Sequence, residues 1–359
     1  MFLAWNEIKH SKGRYALITG VIFLIAYLVF FLTGLAFGLA QEGRMAADNW
    51  KATAVVLTKD ANKSLSASQI NQDDMKEIKA KEKAPLLQSA SVIQVAGKES
   101  TKDNVTLFGV NPNQFLAPHI VKGRMFDNNK EVVIDESLAK VKNYHVGDKV
   151  KFTGDDTEMK IVGMTSGNMF NIAPTVYMSQ KAFRQVKQVN PTMEKNVNAI
   201  IVRATDNKIN NIKVHNSDLE VVSMKDFINN LPGYSAQVMT FTFMIGFLIL
   251  IAAIVIGIFI YVLTMQKKQV FGVMKVQGIS TGFIAKSVVM QTFMLAVTGV
   301  VLGFVITIVS GLMLPAAVPF QLNLPLMSVV AILMLIIAVL GSVFSVRSIA
   351  KIDPLKALN

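Results

Sequence analysis

A membrane α-helical fold, with four transmembrane helices and a large α+β extracytoplasmic domain inserted between the first and second spans, is predicted by three observations. The apolar residues, 52% of the chain, gather into four long runs that contain no Asp, Glu, Lys or Arg. A long mixed-polarity segment separates the first run from the second, and the net charge of +12 is concentrated beside the runs rather than spread along the chain.

The runs cover residues 15–41, 236–265, 287–314 and 326–346, apart from the boundary Gln41 free of strongly polar ends. Each reaches the roughly 20 residues that a hydrocarbon core requires. Basic Lys9, Lys12 and Arg14 precede the first run as they would a secretory signal. Its apolar stretch exceeds the roughly 7–15 residues of a signal core, which predicts an uncleaved anchor. Within residues 1–14, Trp5 and Ile8 lie three apart among charged neighbours, the pattern of a short amphipathic helix on the cytoplasmic face. Residues 347–359 end in Asp353-Pro354-Leu355, an N-cap acid followed by proline at the first helical position, which predicts a final cytoplasmic helix.

Charge sets the expected orientation. Lys9, Lys12 and Arg14, then Lys267, Lys268, Lys275 and Lys286 in the 266–286 segment, then Arg347, Lys351 and Lys356 fall on one side of the spans. The 315–325 loop on the other side carries no charge. The positive-inside rule places both termini and 266–286 in the cytoplasm of a bacterial cell, and 42–235 outside the membrane. The basic excess is thereby explained by topology and anionic lipid, not by nucleic acid. With no cysteine to staple it, the outer segment must be held by its own core, for which it is long enough.

Within 42–235, Ala52–Thr58, Ser91–Gly97, Val105–Val110, Asn198–Arg203 and Leu219–Ser223 read as strands. Residues 68–80 read as a helix capped by Ser68. Glu131–Met164 alternates strand, short helix and turn, suggesting an inserted β-rich subdomain over about 111–180. In the spans, Gly34/Gly38 and Gly299/Gly303 repeat the four-residue spacing that lets helices approach closely. For the first pair, packing within the chain and contact with a second copy both remain open.

No phosphate loop, zinc-protease motif or nucleophile elbow is present, and His10, His119, His145 and His215 are scattered without metal-site spacing. Catalysis is therefore not expected on this chain. The basic stretch QKKQVFGVMKVQGIS, Gln266–Ser280, instead offers Lys267, Lys268 and Lys275 for carboxylates and Val270, Phe271, Val273 and Met274 as an apolar anchor.

The plan of one span, a large outer domain and three further spans resembles the permease subunits of MacB/FtsX-type (type VII) ABC transporters. The segments EVVIDESLAKVKNYHVGDKV, FGVMKVQGIS and DPLKAL carry that resemblance, with Val270 and Gln277 departing from the usual pattern. It implies a homodimer paired through the first two spans, served by two ABC ATPase subunits that bind ATP and magnesium. Their motion would reach the permease through the helix at 266–286. The chain is most similar to the haem-exporting permeases of Gram-positive bacteria, which implies haem as substrate and Arg44, Phe170 and Tyr234 as its site. Met45 and Met169 adjoin these residues as candidate soft ligands. Two other readings stay open: an antimicrobial-peptide or lipid-handling permease, and a non-transporting mechanotransmitter that activates a cell-wall hydrolase.

Overall fold

A computed structural model describes residues 12–97, 102–205 and 208–350. Residues 1–11 and 351–359 lie outside this set, and with them most of the expected N-terminal and C-terminal cytoplasmic helices, including Trp5, Ile8 and Asp353. The chain divides into two compact units, residues 1–38 with 239–359, and residues 39–238.

The first unit is helical. α1 (Lys12–Asn49), α5 (Tyr234–Gln266), α7 (Thr281–Met313) and α8 (Leu324–Ala350) are each apolar and long enough to cross a bilayer over their described residues. Two of them also contribute residues to the second unit. Between α5 and α7 lies the nine-residue α6 (Lys268–Val276). Its end is written in the sequence: Gly278 takes the left-handed conformation (φ +86°) and Ile279 N–H closes back onto Met274 O at 3.0 Å. Two residues later Ser280 Oγ accepts from Phe283 N–H and starts α7.

Small residues decide how these helices meet. A Cβ at Gly299 would come within 2.7 Å of Ile22, and one at Gly303 within 2.9 Å of both the Ala26 side chain and the Tyr27 backbone. The backbones of α1 and α7 therefore lie closer than any larger residue allows. Tyr27 and Ser310 share a 3.2 Å hydrogen bond on the same seam, and the Phe30 and Phe304 rings meet edge to face. Gly34 and Gly38 are also used within the chain. Gly34 and Gly311 both abut the ring of Phe320, Gly38 abuts Pro319, and Gln321 N–H donates to Gly34 O at 3.2 Å.

The second unit is α+β. The strands are β1 (Ala54–Thr58), β2 (Ile70–Asn71), β3 (Ile78–Lys79), β4 (Glu82–Val95), β5 (Asp103–Val110), β6 (Ile120–Gly123), β7 (Glu131–Asp135), β8 (Lys149–Phe152), β9 (Asp155–Thr165), β10 (Met169–Phe170), β11 (Ala173–Ser179), β12 (Asn196–Val197), β13 (Ala199–Arg203), β14 (Lys213–Val214) and β15 (Leu219–Ser223). The short helices are α2 (Glu136–Lys142), α3 (Gln180–Val186) and α4 (Met224–Asn229). Eleven strands form one mixed sheet in which β4 is the joint. Its first half pairs with β13, its middle with β5 and its end with β8. Strands from the 111–180 segment thus belong to the same sheet as their flanks.

Strands such as AVVL and AIIV read as unbroken apolar runs because both sheet faces are covered. In β1, Ala54 and Val56 enter one core, while Val55 and Leu57 enter the other. Residues 68–80 do not form the expected α-helix. Ile70 and Ile78 are both buried and held in two-stranded ladders with β12 and β14, which leaves room only for a 3₁₀ turn, Gln72–Glu77, capped by Asn71. Ser68 is buried instead and accepts from Thr58 N–H at 3.1 Å.

Glu131, at the start of β7, is buried and accepts both Arg124 Nη atoms, at 2.5 and 2.8 Å, and Asp127 N–H at 2.9 Å. The Arg124 hydrogen bonds hold its pKa down at about 2. A depressed carboxylate pKa stabilises the fold fully above the unfolded value near 4.5 and loses that contribution as pH falls through about 2. An acid titration of the detergent-solubilised chain, read by near-ultraviolet circular dichroism, is expected to show Arg124→Met losing structure at higher pH than wild type. At neutral pH the variant should also be less stable than wild type, because Glu131 then keeps only the Asp127 N–H of its three donors.

Candidate functional site

In the second unit, α1 carries two of the five residues expected to hold a ligand, Arg44 and Met45, and meets a third, Tyr234. Arg44 forms a forked pair with Asp48 one turn on, Nε to Oδ2 at 2.7 Å and Nη2 to Oδ1 at 2.9 Å. Its remaining nitrogen, Nη1, donates to Tyr234 Oη at 3.4 Å across 190 residues of sequence. Tyr234 can reach it because Gly233 turns the chain at φ +75° and because residue 43 is glycine, where a Cβ would crowd the tyrosine ring at 3.3 Å. Arg44 and Tyr234, picked from distant parts of the sequence, are therefore neighbours. The guanidinium is about one-third exposed, so an incoming carboxylate could take over from Asp48 as its partner.

Phe170 does not belong to such a surface. It is 1% exposed, with its ring 5.3 Å from Phe108 and 6.1 Å from Trp50, and these rings form the core beneath the sheet. The reason is the period-two alternation of a strand: with Phe170 pointing into the core, Met169 points the other way and is half-buried. Met45 on α1 is also half-buried.

The residue that sequence reasoning missed is Ile172. Phe170 pairs with Ala173, so Asn171 and Ile172 alone make the loop between β10 and β11. Both have positive φ, +51° and +62°. Such loops favour Asn-Gly, and a β-branched residue at the second position is strained. Ile172 is nevertheless there, 45% exposed, while Asn171 N–H fixes the loop to Gly43 O at 3.0 Å. The available signal was the pair Asn-Ile where a tight hairpin calls for Asn-Gly.

In the first unit, the expected coupling residues divide into two sets. Phe271 is 3% exposed and belongs to the helical core, with Met274 packed against that core. Neither supplies an anchor for another protein, because α6 is amphipathic and this is its inward face. Lys267 is likewise turned inward: Nζ donates to Tyr15 Oη at 2.6 Å and lies 5.4 Å from the ring centroid. The outward apolar face is Val270, Val273 and Val276, exposed to 55%, 41% and 58%, with Lys268 exposed at its start and Lys275 half-buried. Val276 was not among the expected anchors, although its three-residue spacing from Val273 marks the same face.

Among the described residues no group of three or more His, Cys, Asp or Glu is placed to hold a metal ion. His145 faces Asp148, and His215 Nδ1 lies 3.1 Å from Glu77 O.

Residues 16–211 match the family described as MacB-like periplasmic core domain, and residues 242–354 match that described as FtsX-like permease C-terminal. Over its whole length the chain is 30% identical to a Staphylococcus epidermidis protein named as hemin transport system permease protein HrtB, covering 99% of it. A Staphylococcus haemolyticus protein of the same name is 29% identical with the same coverage. An uncharacterised ABC transporter permease of Mycobacterium bovis is 23% identical, again over 99% of its length. Among solved structures, the periplasmic region of MacB from Actinobacillus actinomycetemcomitans aligns with 49% of this chain and 92% of its own, at 15% identity and a TM-score of 0.34.

If the left-handed conformation at Ile172 is held against its own preference, Ile172→Gly should relieve it. Chemical denaturation of the full chain is expected to show the second unit stabilised by about 1 kcal/mol. Equal or lower stability would show that the isoleucine side chain makes compensating contacts.

Proposed function

Because the chain belongs to the MacB/FtsX-type family of ABC transporter permeases, we propose that it is the membrane subunit of an ATP-driven pump that exports haem, with ATP and magnesium bound by a separate ABC ATPase. The observation that carries this reading is the Arg44–Tyr234 contact. It sets a partly exposed guanidinium beside a phenol, in a chain whose full-length relatives are named for hemin transport. Haem is a flat apolar disc bearing two carboxylates. Arg44 would receive a propionate, and Tyr234 would meet the disc or its iron through the ring or the phenol oxygen. Met45 and Met169, both half-buried, are the soft donors within the same stretches of chain. Phe170 contributes by holding the β10–β11 hairpin, not by touching substrate.

In this reading two copies pair through α1 and α5, both termini and α6 are cytoplasmic, and residues 42–235 lie outside the cell membrane. The long exposed apolar face of α5, from Phe243 and Phe247 to Ile254 and Ile258, supports an arrangement in which it meets lipid or a second copy. Two ATPase subunits dock on Val270, Val273 and Val276, with Lys268 steering them toward carboxylates. The inward contacts of α6, Phe271 in the core and Lys267 on Tyr15, would then convey ATPase movement to α1. A mechanotransmitter would need an exposed apolar patch on the second unit for its partner. The second unit's most exposed large apolar residues, Val121, Val141, Ile172 and Met193, lie far apart in sequence, on β6, on α2, in the β10–β11 loop and after α3.

Two measurements test the proposal. Haemin titration of the chain in nanodiscs, followed at the Soret band, should saturate near one haem per dimer. Arg44→Ala and Tyr234→Ala should each weaken binding roughly tenfold, as expected for losing one charge-assisted or ring contact. Unsaturable partitioning, equal in all three proteins, would remove haem as the substrate. Val273→Glu should leave haem binding intact while abolishing export and its stimulation of ATP hydrolysis in the reconstituted complex. Normal export by that variant would sink the docking assignment.

A further inference from the structure

In the first unit a groove of about 540 Å³ runs between α1 and α7. On α1 it is lined by Lys12, Tyr15, Ala16, Thr19, Gly20 and Phe23, and the opposite wall begins at Met294 and ends at Leu302. Lys12, Ala16, Thr19, Gly20 and Phe23 follow the spacing of one helix face, so the groove lies along the helix axis. Its length is set by the rise of 1.5 Å per residue: from Lys12 to Phe23 it extends about 16 Å, close to half of a hydrocarbon core roughly 30 Å thick. It is therefore one leaflet long.

Ala16, Thr19 and Gly20 keep the middle of the α1 wall low. A Cβ at Gly20 would meet nothing within 4 Å, whereas two residues further on Ile22 is in backbone-close contact with Gly299. Its walls are overwhelmingly apolar, and the one charged residue on them is Lys12, exposed at the end. No acidic residue lines it, and exposed Arg14 adds a second cation nearby in sequence.

We infer that this groove is a binding site for one anionic phospholipid of the cytoplasmic leaflet, with an acyl chain lying along Ala16–Phe23 and the phosphate paired with Lys12. The inference rests on the orientation proposed above, not on haem as substrate. A chain-length apolar channel with one cation, Lys12, on its walls matches one acyl chain and one phosphate. A rigid disc with two carboxylates would leave one of them without a partner on the walls.

The test uses the full chain in nanodiscs without ATPase, ATP or haem, and a phosphatidylglycerol whose acyl chain carries a diazirine. After photolysis, labelled peptides are mapped by mass spectrometry. Label is expected on the peptides holding residues 16–23 and 294–302, competed by unlabelled phosphatidylglycerol and not by phosphatidylcholine. Lys12→Ala, a surface change that cannot disturb packing, should weaken capture about fivefold, the effect of one cation near the surface. Gly20→Leu, which enters open space, should abolish it, and Thr298→Leu on the opposite wall should do the same. Equal competition by phosphatidylcholine, or capture indifferent to all three substitutions, would overturn the proposal. So would competition by haemin, which would assign the groove to substrate, or capture only after deletion of residues 1–11, which would show the chain filling its own groove. A failed haem titration leaves every one of these readouts unchanged.

Discussion

Lipid tails are as apolar as leucine, so burial alone does not press one membrane helix against another. What holds them is close packing, which requires that backbones be allowed to approach. α1 is where that allowance is concentrated. Gly299 and Gly303 of α7 bring its backbone onto Ile22, Ala26 and Tyr27, and Gly34 gives the ring of Phe320 a place to lie. The same device serves the second unit, where Gly43 admits the ring of Tyr234 and its carbonyl receives the hairpin at Asn171. A side chain at any of these positions would separate surfaces that otherwise touch.

Outside the membrane unit, ordinary burial takes over. The sheet is covered on both faces, so its strands carry apolar residues without alternation, and its long strand β4 ties the two halves of the sheet together. The aromatic cluster of Trp50, Phe108 and Phe170 shows how such a core can mislead a reader looking for a site. Three adjacent rings are what a porphyrin would want, and equally what a sheet needs under it. Here the sheet has them.

The four spans and the α+β character of the outer domain were legible because each rests on a one-dimensional pattern: run length, charge placement and short apolar runs rich in β-branched residues. Arg44 and Tyr234 were grouped in one site through resemblance, and their hydrogen bond came only with the structure, since nothing in local sequence connects residues 190 apart. What failed was the face on which a residue points. Phe271 and Val273 are both apolar and two apart on a short helix, and only packing in the helical core decides that the first turns in and the second out. Residues 68–80 failed for a related reason. Helix propensity there is overruled by two isoleucines, eight apart, that are each needed in a different ladder.

The ring of Phe320 between Gly34 and Gly311 bears on the degrees of freedom left to the helices. With that wedge near one end, the glycine seam at Ile22–Tyr27 and a hydrogen bond from Gln321 to Gly34, α1 and α7 are joined at several heights and cannot slide or twist past one another without breaking contacts. Where α5 meets α8 the approach is ordinary, a Cβ at Gly341 lying 3.7 Å from Gly257. Beside the α1–α7 pair, Lys267 at the start of α6 donates to Tyr15 Oη and makes one tether between the α6 end and α1. A stroke delivered to α6 would accordingly change the angle between α5 and α1 about that tether, rather than loosen the bundle as a whole.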